Sequence, residues 1–483
     1  MVAVLYAAAM SVLVLYGINL LWLSLQRARH DSLKDRNRTC PIPDKELPWV
    51  TVQIPLFNEA LVARRVIDAC AALDYPNLDI QVLDDSNDQT ADVVADAVLH
   101  WKARGVDIVH IQRAHRTGYK AGALQNGLAG ARGSLIAIFD ADFVPNSDFL
   151  RRLVPKFEEP GVGMVQARWG HLNAGLSMLT RLQAWALDAH FALEQAARQA
   201  AGYFVNFNGT AGVWRTRCIH EAGGWHSDTL AEDVDLSYRA QLKGWRFLFM
   251  SNVEAPAELP ATLSALRAQQ FRWTKGTAEA ARKLLTALWR SKSLPGVKIE
   301  GTLHLTSHIV YPALVVVALL HAPLSLLEAR GSGPGPVYFA ILSLGLCGLL
   351  GFFLAQLFAQ RALYPDWHRR IWGFPVFMAG SMALAISNSK ALWQALRRRV
   401  TPFERTPKAA QHGRSPYDSQ RAPLRAALEG LLAIYCLAGL VAMGLEYIWL
   451  SMAFQAVFAF AYIAMTLYNM QEWFPTRTGL HTP

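Results

Sequence analysis

The stretch LAEDVDLSYRA, Leu230 to Ala240, places Glu232, Asp233 and Asp235 within four positions. Carboxylates so spaced have two uses. At a helix start they satisfy free N–H groups and favour the helix dipole; in a cleft, one of them can take the proton of an attacking hydroxyl. Two more acidic pairs stand upstream, Asp84-Asp85 in QVLDDSNDQT and Asp140-Ala-Asp142 in SLIAIFDADF. Carboxylate, phosphate and water oxygens together suit a hard divalent cation, Mg2+ or Mn2+, although each pair alone also reads as a turn or a cap. Downstream, ALRAQQFRWTKG supplies Gln269, Arg272 and Trp273. A guanidinium forks onto a diphosphate and an indole offers a flat platform for a sugar ring. The competing reading of that stretch is an amphipathic interfacial helix with Trp at headgroup level.

These side chains need elements to hold them. WVTVQIPLFNEA begins as a β-rich run and turns at Asn58 and Glu59 into the helical LVARRVIDACAAL. LDIQVLDDSNDQT, VDIVHIQ and SLIAIFDADF repeat the strand-first plan. Strands alternating with helices predict a mainly parallel sheet, and in open α/β sheets ligands bind at the carboxyl ends of strands, where both acidic pairs fall. FNGTAGVWRT reads as a loop of small and polar groups that lets backbone approach a ligand. His115 and Arg116 could touch a donor but read first as solvated loop residues, and the segment from Leu176 to Ala200 reads as packing on the sheet or the membrane interface, with contact to an acceptor as the alternative. Within it, His190 and Glu194 stand one helical turn apart without the third ligand a metal site needs.

The chain has 483 residues, 52% of them hydrophobic, and the apolar residues lie mostly outside the mixed stretch from Val50 to Trp273. A soluble domain between membrane segments follows. The expected spans are Val2 to Leu25, Leu303 to Leu327, Val337 to Gln360, Leu424 to Leu445 and Tyr447 to Tyr468, five crossings in all. The run from Ile371 to Leu396 has strongly basic loops on both sides and is read as re-entrant or interfacial. The resulting domains are an anchor 1–27, a cytoplasmic linker 28–47, a catalytic domain 48–275, interface helices 262–300, a membrane pair 303–360, a re-entrant segment 371–399, a cytoplasmic segment 400–420, a second membrane pair 424–470 and a tail 471–483.

The net charge is +10, with Lys and Arg concentrated beside the apolar runs, which suits the cytoplasmic side of a membrane. Nucleic acid is not an expected partner, because no zinc-finger or RNP-type motif accompanies the basic clusters. Five scattered cysteines give neither a metal spacing nor a disulfide framework, and point to a reducing compartment. The membrane runs carry almost no charge, which argues against a transporter that merely holds a nucleotide-binding domain.

In this order the motifs resemble the membrane-embedded, inverting, processive-type glycosyltransferases of family 2, which include cellulose, chitin and hyaluronan synthases. The family pattern is an Asp pair, an Asp-x-Asp, a Thr-Glu-Asp and a Gln-x-x-Arg-Trp; here they stand as Asp84-Asp85, Asp140-Ala-Asp142, Ala231-Glu232-Asp233 and Gln269-Gln-Phe-Arg272-Trp273. QIPLFNE, QVLDDSNDQT, HRTGYKAGAL, FNGTAGVWR and EAGGW look most like the cellulose-synthase-like A and C branches, the mannan/glucomannan and xyloglucan-backbone synthases, and their bacterial relatives. The likeness runs from about Val50 to Lys408, where FERTPK resembles the family's gating loop with Arg405 in place of Val.

The resemblance implies an α/β GT-A fold, Rossmann-like with a mainly parallel sheet, as a cytoplasmic domain inserted between α-helical transmembrane segments. It also implies a nucleotide-sugar donor, inversion and a divalent cation, Mg2+ or Mn2+. It puts Pro55, Glu59, Asp84, Asp85, Lys120 and Asp140 around the nucleotide sugar, Asp140 and Asp142 at the metal, Arg272 at the diphosphate, and Thr406 and Lys408 in the loop that closes over it. Asn208, Gly209, Thr210, Gln269 and Trp273 would hold the acceptor. Asp233 would be the base, with Glu232 supporting the backbone or the acceptor and Asp235 kept as a helix-start residue. Ala231 departs from the family's Thr. The expected activity is a hexosyltransferase that extends a β-linked polysaccharide and passes it through the membrane, with UDP-glucose ahead of GDP-mannose as donor; the alternative is transfer to a lipid acceptor. The expected setting is a bacterial inner membrane with the catalytic domain in the cytoplasm. Its partners would be the donor, a carbohydrate or lipid acceptor, membrane lipids and, for a narrow pore, a second copy or accessory export proteins.

Overall fold

The runs VTVQIPL and LDIQVLD are covered on both faces, so their apolar residues pack into the core while Thr51 pairs with Asp79 and Gln53 with Gln81 across the two strands. They form β1 (Val50–Leu56) and β2 (Leu78–Asp84) in the computed structural model, which describes residues 1–29, 42–399 and 422–473. β3 (Ile108–Gln112), β4 (Leu135–Ile138), β5 (Val162–His171), β6 (Gly212–Arg215) and β7 (Arg246–Ala257) complete one sheet in the order β3-β2-β1-β4-β6-β5-β7. β1 runs parallel to β2 and β4, and β2 to β3, with the helices Ala60–Ala71, Thr90–Lys102 and Tyr119–Ala129 as crossovers. Strand order reverses direction from β1, toward β2 on one side and β4 on the other, and that divergence opens a crevice at the carboxyl ends.

Beyond β4 the sheet departs from the sequence reading. β6 is antiparallel to both β4 and β5, while β5 and β7 pair in parallel. The sheet is therefore mixed, though mainly parallel, as the GT-A expectation requires. The second half of FNGTAGVWRT is a central strand rather than loop, because Val213 and Trp214 are fully buried between β4 and β5. β5 and β7, ten and twelve residues long, had no clear apolar signature: Gln166, Arg168 and His171 interrupt the first, and Ser251, Asn252 and Glu254 the second.

Among the described residues, five helices are long and apolar enough to cross a bilayer: Val2–Arg29, Pro295–Ala329, Pro336–Leu363, Ala426–Leu445 and Ser451–Met470. The chain is an integral membrane protein. Trp367–Ala383 and Ala385–Leu396 form a pair bent by 42°, a broken span or a re-entrant turn in the region read as re-entrant. The first span meets the third through glycines: a Cβ on Gly351 would lie 1.8 Å from the Gly17 carbonyl oxygen. Only backbone fits there, as is usual where membrane helices pack closely.

Between the two halves lies the helix Leu263–Arg290, started by Thr262, whose hydroxyl accepts from the Ala265 N–H at 3.3 Å. Arg282 Nη1 donates to the Ala395 carbonyl and Lys275 Nζ to that of Arg399, each at 2.6 Å. Deeper in, Arg267 donates to Glu429 Oε2 at 2.6 Å and to Asn469 Oδ1 at 2.8 Å, and Asn469 Nδ2 donates to the same Glu429 oxygen at 2.7 Å. All three residues are buried, so the near absence of charge expected of the membrane runs fails at Glu429. A lone charge there would be far costlier than this pair. Glu429→Leu alone should therefore destabilise the detergent-solubilised protein by about 3 kcal/mol, and Arg267→Met with Glu429→Leu should recover most of the loss. Thermal unfolding of the four proteins in a double-mutant cycle checks this; additive losses would contradict the coupling.

Candidate active site

β1, β2 and β4 end at one edge of the sheet, and a cavity of about 880 Å3 opens there. Pro55 near the end of β1 and Glu59 after it line the cavity, with Asp85 after β2, and Asp140 and Asp142 after β4. The turn between the last two is held from the far side, where Val144 N–H donates to Pro256 O at 2.9 Å and Glu258 N–H to Asp142 O at 3.3 Å. Lys120 reaches in from the helix Tyr119–Ala129, and Asn208, Gly209, Glu232, Asp233, Gln269, Arg272 and Trp273 close the far wall. The cavity continues past them among the membrane helices, to Phe377, Ser381, Phe460 and Tyr468.

Two expected site residues lie behind this wall. Asp84 is almost fully buried, hydrogen-bonded to His110 Nε2 and the Ser86 N–H, each at 2.9 Å. Burial pushes its carboxyl up, but these hydrogen bonds outweigh it and hold the group below the ordinary aspartate value. It shapes the Asp85 loop; Asp85 itself is gripped by the Arg113 guanidinium through both oxygens. Thr210 is likewise buried, its hydroxyl accepting from the Asp140 N–H at 2.9 Å, so it positions Asp140 and offers no surface to an acceptor. Thr406 and Lys408 lie outside the described residues.

Lys120 links the two sides of the cleft. Its ammonium donates to Asp140 Oδ1 at 2.5 Å and to the Gly209 carbonyl at 2.9 Å. Burial alone would lower its pKa, yet the negative charges of Asp140, Glu232 and Asp233 hold it above the ordinary lysine value. Gly209 has φ +81°, and a Cβ there would come within 3.2 Å of Asp233 Oδ2 and 3.5 Å of Lys120 Nζ. Glycine is required both by the backbone and by the room the carboxylate needs.

Asp233 stands in the first turn of the helix Glu232–Leu242, as the helix-start reading expects. Its Oδ1 accepts from the Val234 N–H at 2.8 Å, and Oδ2 is the oxygen that faces Gly209 across the cleft. Burial, reinforced by the charge of Glu232, pushes its carboxyl up to about 7. Glu232 is also raised, by burial, against the pull of Lys120 and Arg272. Ala231 packs against Gly276: a Cβ on Gly276 would lie 2.7 Å from the Ala231 nitrogen and 2.9 Å from its Cβ, so only glycine lets the two helices approach this closely.

Asp235 is not a cap. It is fully buried, bridged by Arg239 at 2.8 Å and Lys283 at 2.9 Å. His226, Asp228 and Asp235 bring ligand atoms within 4.8 Å of one another, but the Lys283 ammonium sits among them, at 3.1, 2.8 and 2.9 Å, and satisfies the cluster.

Other residues on the wall had only a minor reading of this kind, or none, in the sequence. The Arg116 guanidinium, read as solvated, stacks 3.3 Å above the Phe57 ring and lines the cavity. Trp169, from the unread strand β5, faces Trp273 with ring centroids 6.3 Å apart. His190, Glu194 and Arg198 also open on the cavity. As for a metal, Asp140 and Asp142 fit one: both open on the cavity, both offer hard oxygens, and Lys120 takes only Oδ1 of Asp140.

Residues 48–276 match the family described as glycosyltransferase-like family 2. This region is a family 2 glycosyltransferase domain. The transferase domain and its flanks are 41% identical over 292 residues to glucomannan 4-beta-mannosyltransferase 1 of Oryza sativa subsp. japonica, covering 57% of this chain and 55% of that one. They are 43% identical over 267 residues to glucomannan 4-beta-mannosyltransferase 2 of Arabidopsis thaliana, covering 53% and 50%. The chain thus spans about half the length of the curated relatives it matches. Among solved structures, the mannosyltransferase PcManGT from Pyrobaculum calidifontis, in complex with GDP-Man and Mn2+, has a TM-score of 0.54 at 22% identity, covering 83% of this chain and 99% of that one. The shared feature there is the GT-A fold.

In the nucleotide-free protein, Asp233 of the transferase domain should take up a proton as pH falls through about 7. An infrared carboxyl band that titrates there and vanishes in Asp233→Asn is the expected result; an Asp233 band titrating near the ordinary aspartate value would contradict the burial argument.

Proposed function

We propose that this protein moves a mannosyl residue from GDP-mannose, with inversion at the anomeric carbon, onto the end of a β-linked polysaccharide that leaves through the membrane half of the cavity. The observation that carries the reading is the continuity of that cavity, from the acidic sheet edge past Asp233 and Trp273 to Phe377 and Tyr468. The donor order expected from the sequence is reversed. The relatives are named as mannosyltransferases of glucomannan, so mannose replaces glucose as the favoured sugar. Those relatives are plant enzymes, so the bacterial inner membrane drops out of the reading, and a membrane whose cytoplasmic face supplies nucleotide sugar replaces it.

In this mechanism the acceptor sugar lies on Trp273 beside Asn208 and Gly209, with its attacking hydroxyl toward Asp233. As the hydroxyl oxygen bonds to the anomeric carbon, Asp233 takes its proton and the bond to the diphosphate breaks. Arg272 offsets the charge that develops on the departing GDP. A cation held by Asp140 and Asp142 would supply further positive charge to the same diphosphate. Lys120 keeps Asp140 and the Gly209 carbonyl in register. A second reading, transfer to a lipid, is favoured by the apolar membrane-side lining at Leu182, Val376, Phe377 and Phe460.

Purified protein offered GDP-mannose, UDP-glucose, UDP-galactose and UDP-N-acetylglucosamine should release nucleotide chiefly from GDP-mannose; a preference for UDP-glucose would sink the donor assignment. Chelation of divalent cations should abolish release, and Mn2+ or Mg2+ should restore it. Asp233→Asn should lower transfer by about 10²–10⁴-fold with GDP retention on the protein unchanged. Because the base must be ionised, kcat/KM for the wild type should fall as pH drops below about 7 and level off above it. Product retained as polymer supports the polysaccharide reading, whereas label extracted into organic solvent supports the lipid one.

A further inference from the structure

The helix that begins at Met178 changes pitch at Ala189–Gln195, where it becomes a π-helix before ending at Ala200. Such turns, with i→i+5 hydrogen bonds, gather at functional sites. In an α-helix, residues five apart point about 140° away from each other; the wider π turn brings His190 and Gln195 onto one face. Both then reach the same side chain. Gln195 Nε2 donates to Asn208 Oδ1 at 2.8 Å, which turns the Asn208 amide nitrogen toward His190 Nε2, also at 2.8 Å. His190 Nε2 must accept, so the neutral ring carries its proton on Nδ1, the nitrogen that lies 3.9 Å from Glu194 Oε2.

Glu194 is anchored from behind. Its Oε2 accepts from Arg198 Nη2 at 3.0 Å, and Arg198 is itself held by the buried Glu300 at 2.7 Å. Burial would raise the Glu194 carboxyl, but His190 and Arg198 hold it below the ordinary glutamate value. Its Oε1 makes no hydrogen bond among the described residues. His190 and Glu194 keep 24% and 26% of their side-chain surface and open on the catalytic cavity beside Asn208, on the side that leads to the membrane. An imidazole N–H next to a carboxylate oxygen is a donor and an acceptor spaced for neighbouring hydroxyls, with the Trp169–Trp273 pair as a stacking wall in the same cavity.

We propose that His190 and Glu194 form an acceptor subsite, presented by the π turn, that binds the hydroxyls of a β-linked oligosaccharide behind the sugar that attacks. The inference deepens the polysaccharide reading and rests on it. An apolar lipid tail would leave this carboxylate without hydroxyl partners, so the subsite speaks for a sugar chain.

The test is binding of β-1,4-mannohexaose to the full-length protein in detergent without donor, followed by tryptophan fluorescence. Wild type should bind, and Glu194→Gln and His190→Gln, which preserve side-chain size and neighbouring hydrogen bonds, should each weaken binding about tenfold. In turnover, the same variants should raise the oligosaccharide KM by a like factor while the GDP-mannose KM stays within twofold. Wild-type affinity in both variants, or no binding by wild type, overturns the subsite; a rise of both KM values together marks a merely structural role and overturns it too. Binding is read without donor, so a wild type that binds mannohexaose but releases no GDP from GDP-mannose condemns the donor assignment and leaves the subsite standing.

Discussion

The cleft concentrates negative charge, and Lys120 is what makes that concentration foldable. Asp140, Asp142, Glu232 and Asp233 all face one cavity. Carboxylates this close repel, and burial raises the cost of each charge. The Lys120 ammonium answers both problems by binding Asp140 directly and standing within the field of Glu232 and Asp233. Its second hydrogen bond, to the Gly209 carbonyl, turns charge balance into geometry, because it ties the β4 edge to the loop that leads into β6. The incomplete balance also matters. Asp233 is left with a raised affinity for a proton, the property a general base near neutral pH needs.

The second dependence runs through the helix Leu263–Arg290. One face presents Gln269, Arg272 and Trp273 to the cavity, while Gly276 lets the helix touch Ala231 at the start of the Asp233 helix. Arg267, on the same element, pairs with Glu429 and Asn469 inside the membrane half. A single helix therefore touches both the membrane half and the start of the Asp233 helix.

Much of the cleft was legible because its residues sit in local motifs. Asp85, Asp140, Asp142, Asp233, Arg272 and Trp273 were each found from a short pattern, and all line the cavity. Where the reading failed, the deciding contact was distant in sequence. Asp84 and Thr210 belong to the same motifs as their neighbours, but the alternation of side chains along β2, and the packing of Thr210 against β4, turn them away from the cleft. β5, β6 and β7 escaped notice because polar residues and glycines break their apolar pattern; several of those residues are satisfied by partners distant in sequence, Gln166 by Thr210 and Asn208 and His171 by Asp188.

Local chemistry written in order along the chain was thus enough to indicate the fold class, the long apolar helices and the acidic groups that line the cleft, since strand-end acids, apolar runs and basic flanks act over a few residues. Tertiary structure decided which carboxylates are buried, which lysine holds the cleft together and which side chains form its wall. Those depend on electrostatic fields and on the pitch of one π turn, and each is set by groups far apart in sequence, such as Lys120 with Gly209, or His190 and Gln195 with Asn208. Burial and close approach are properties of the packed chain, and no local pattern encodes them.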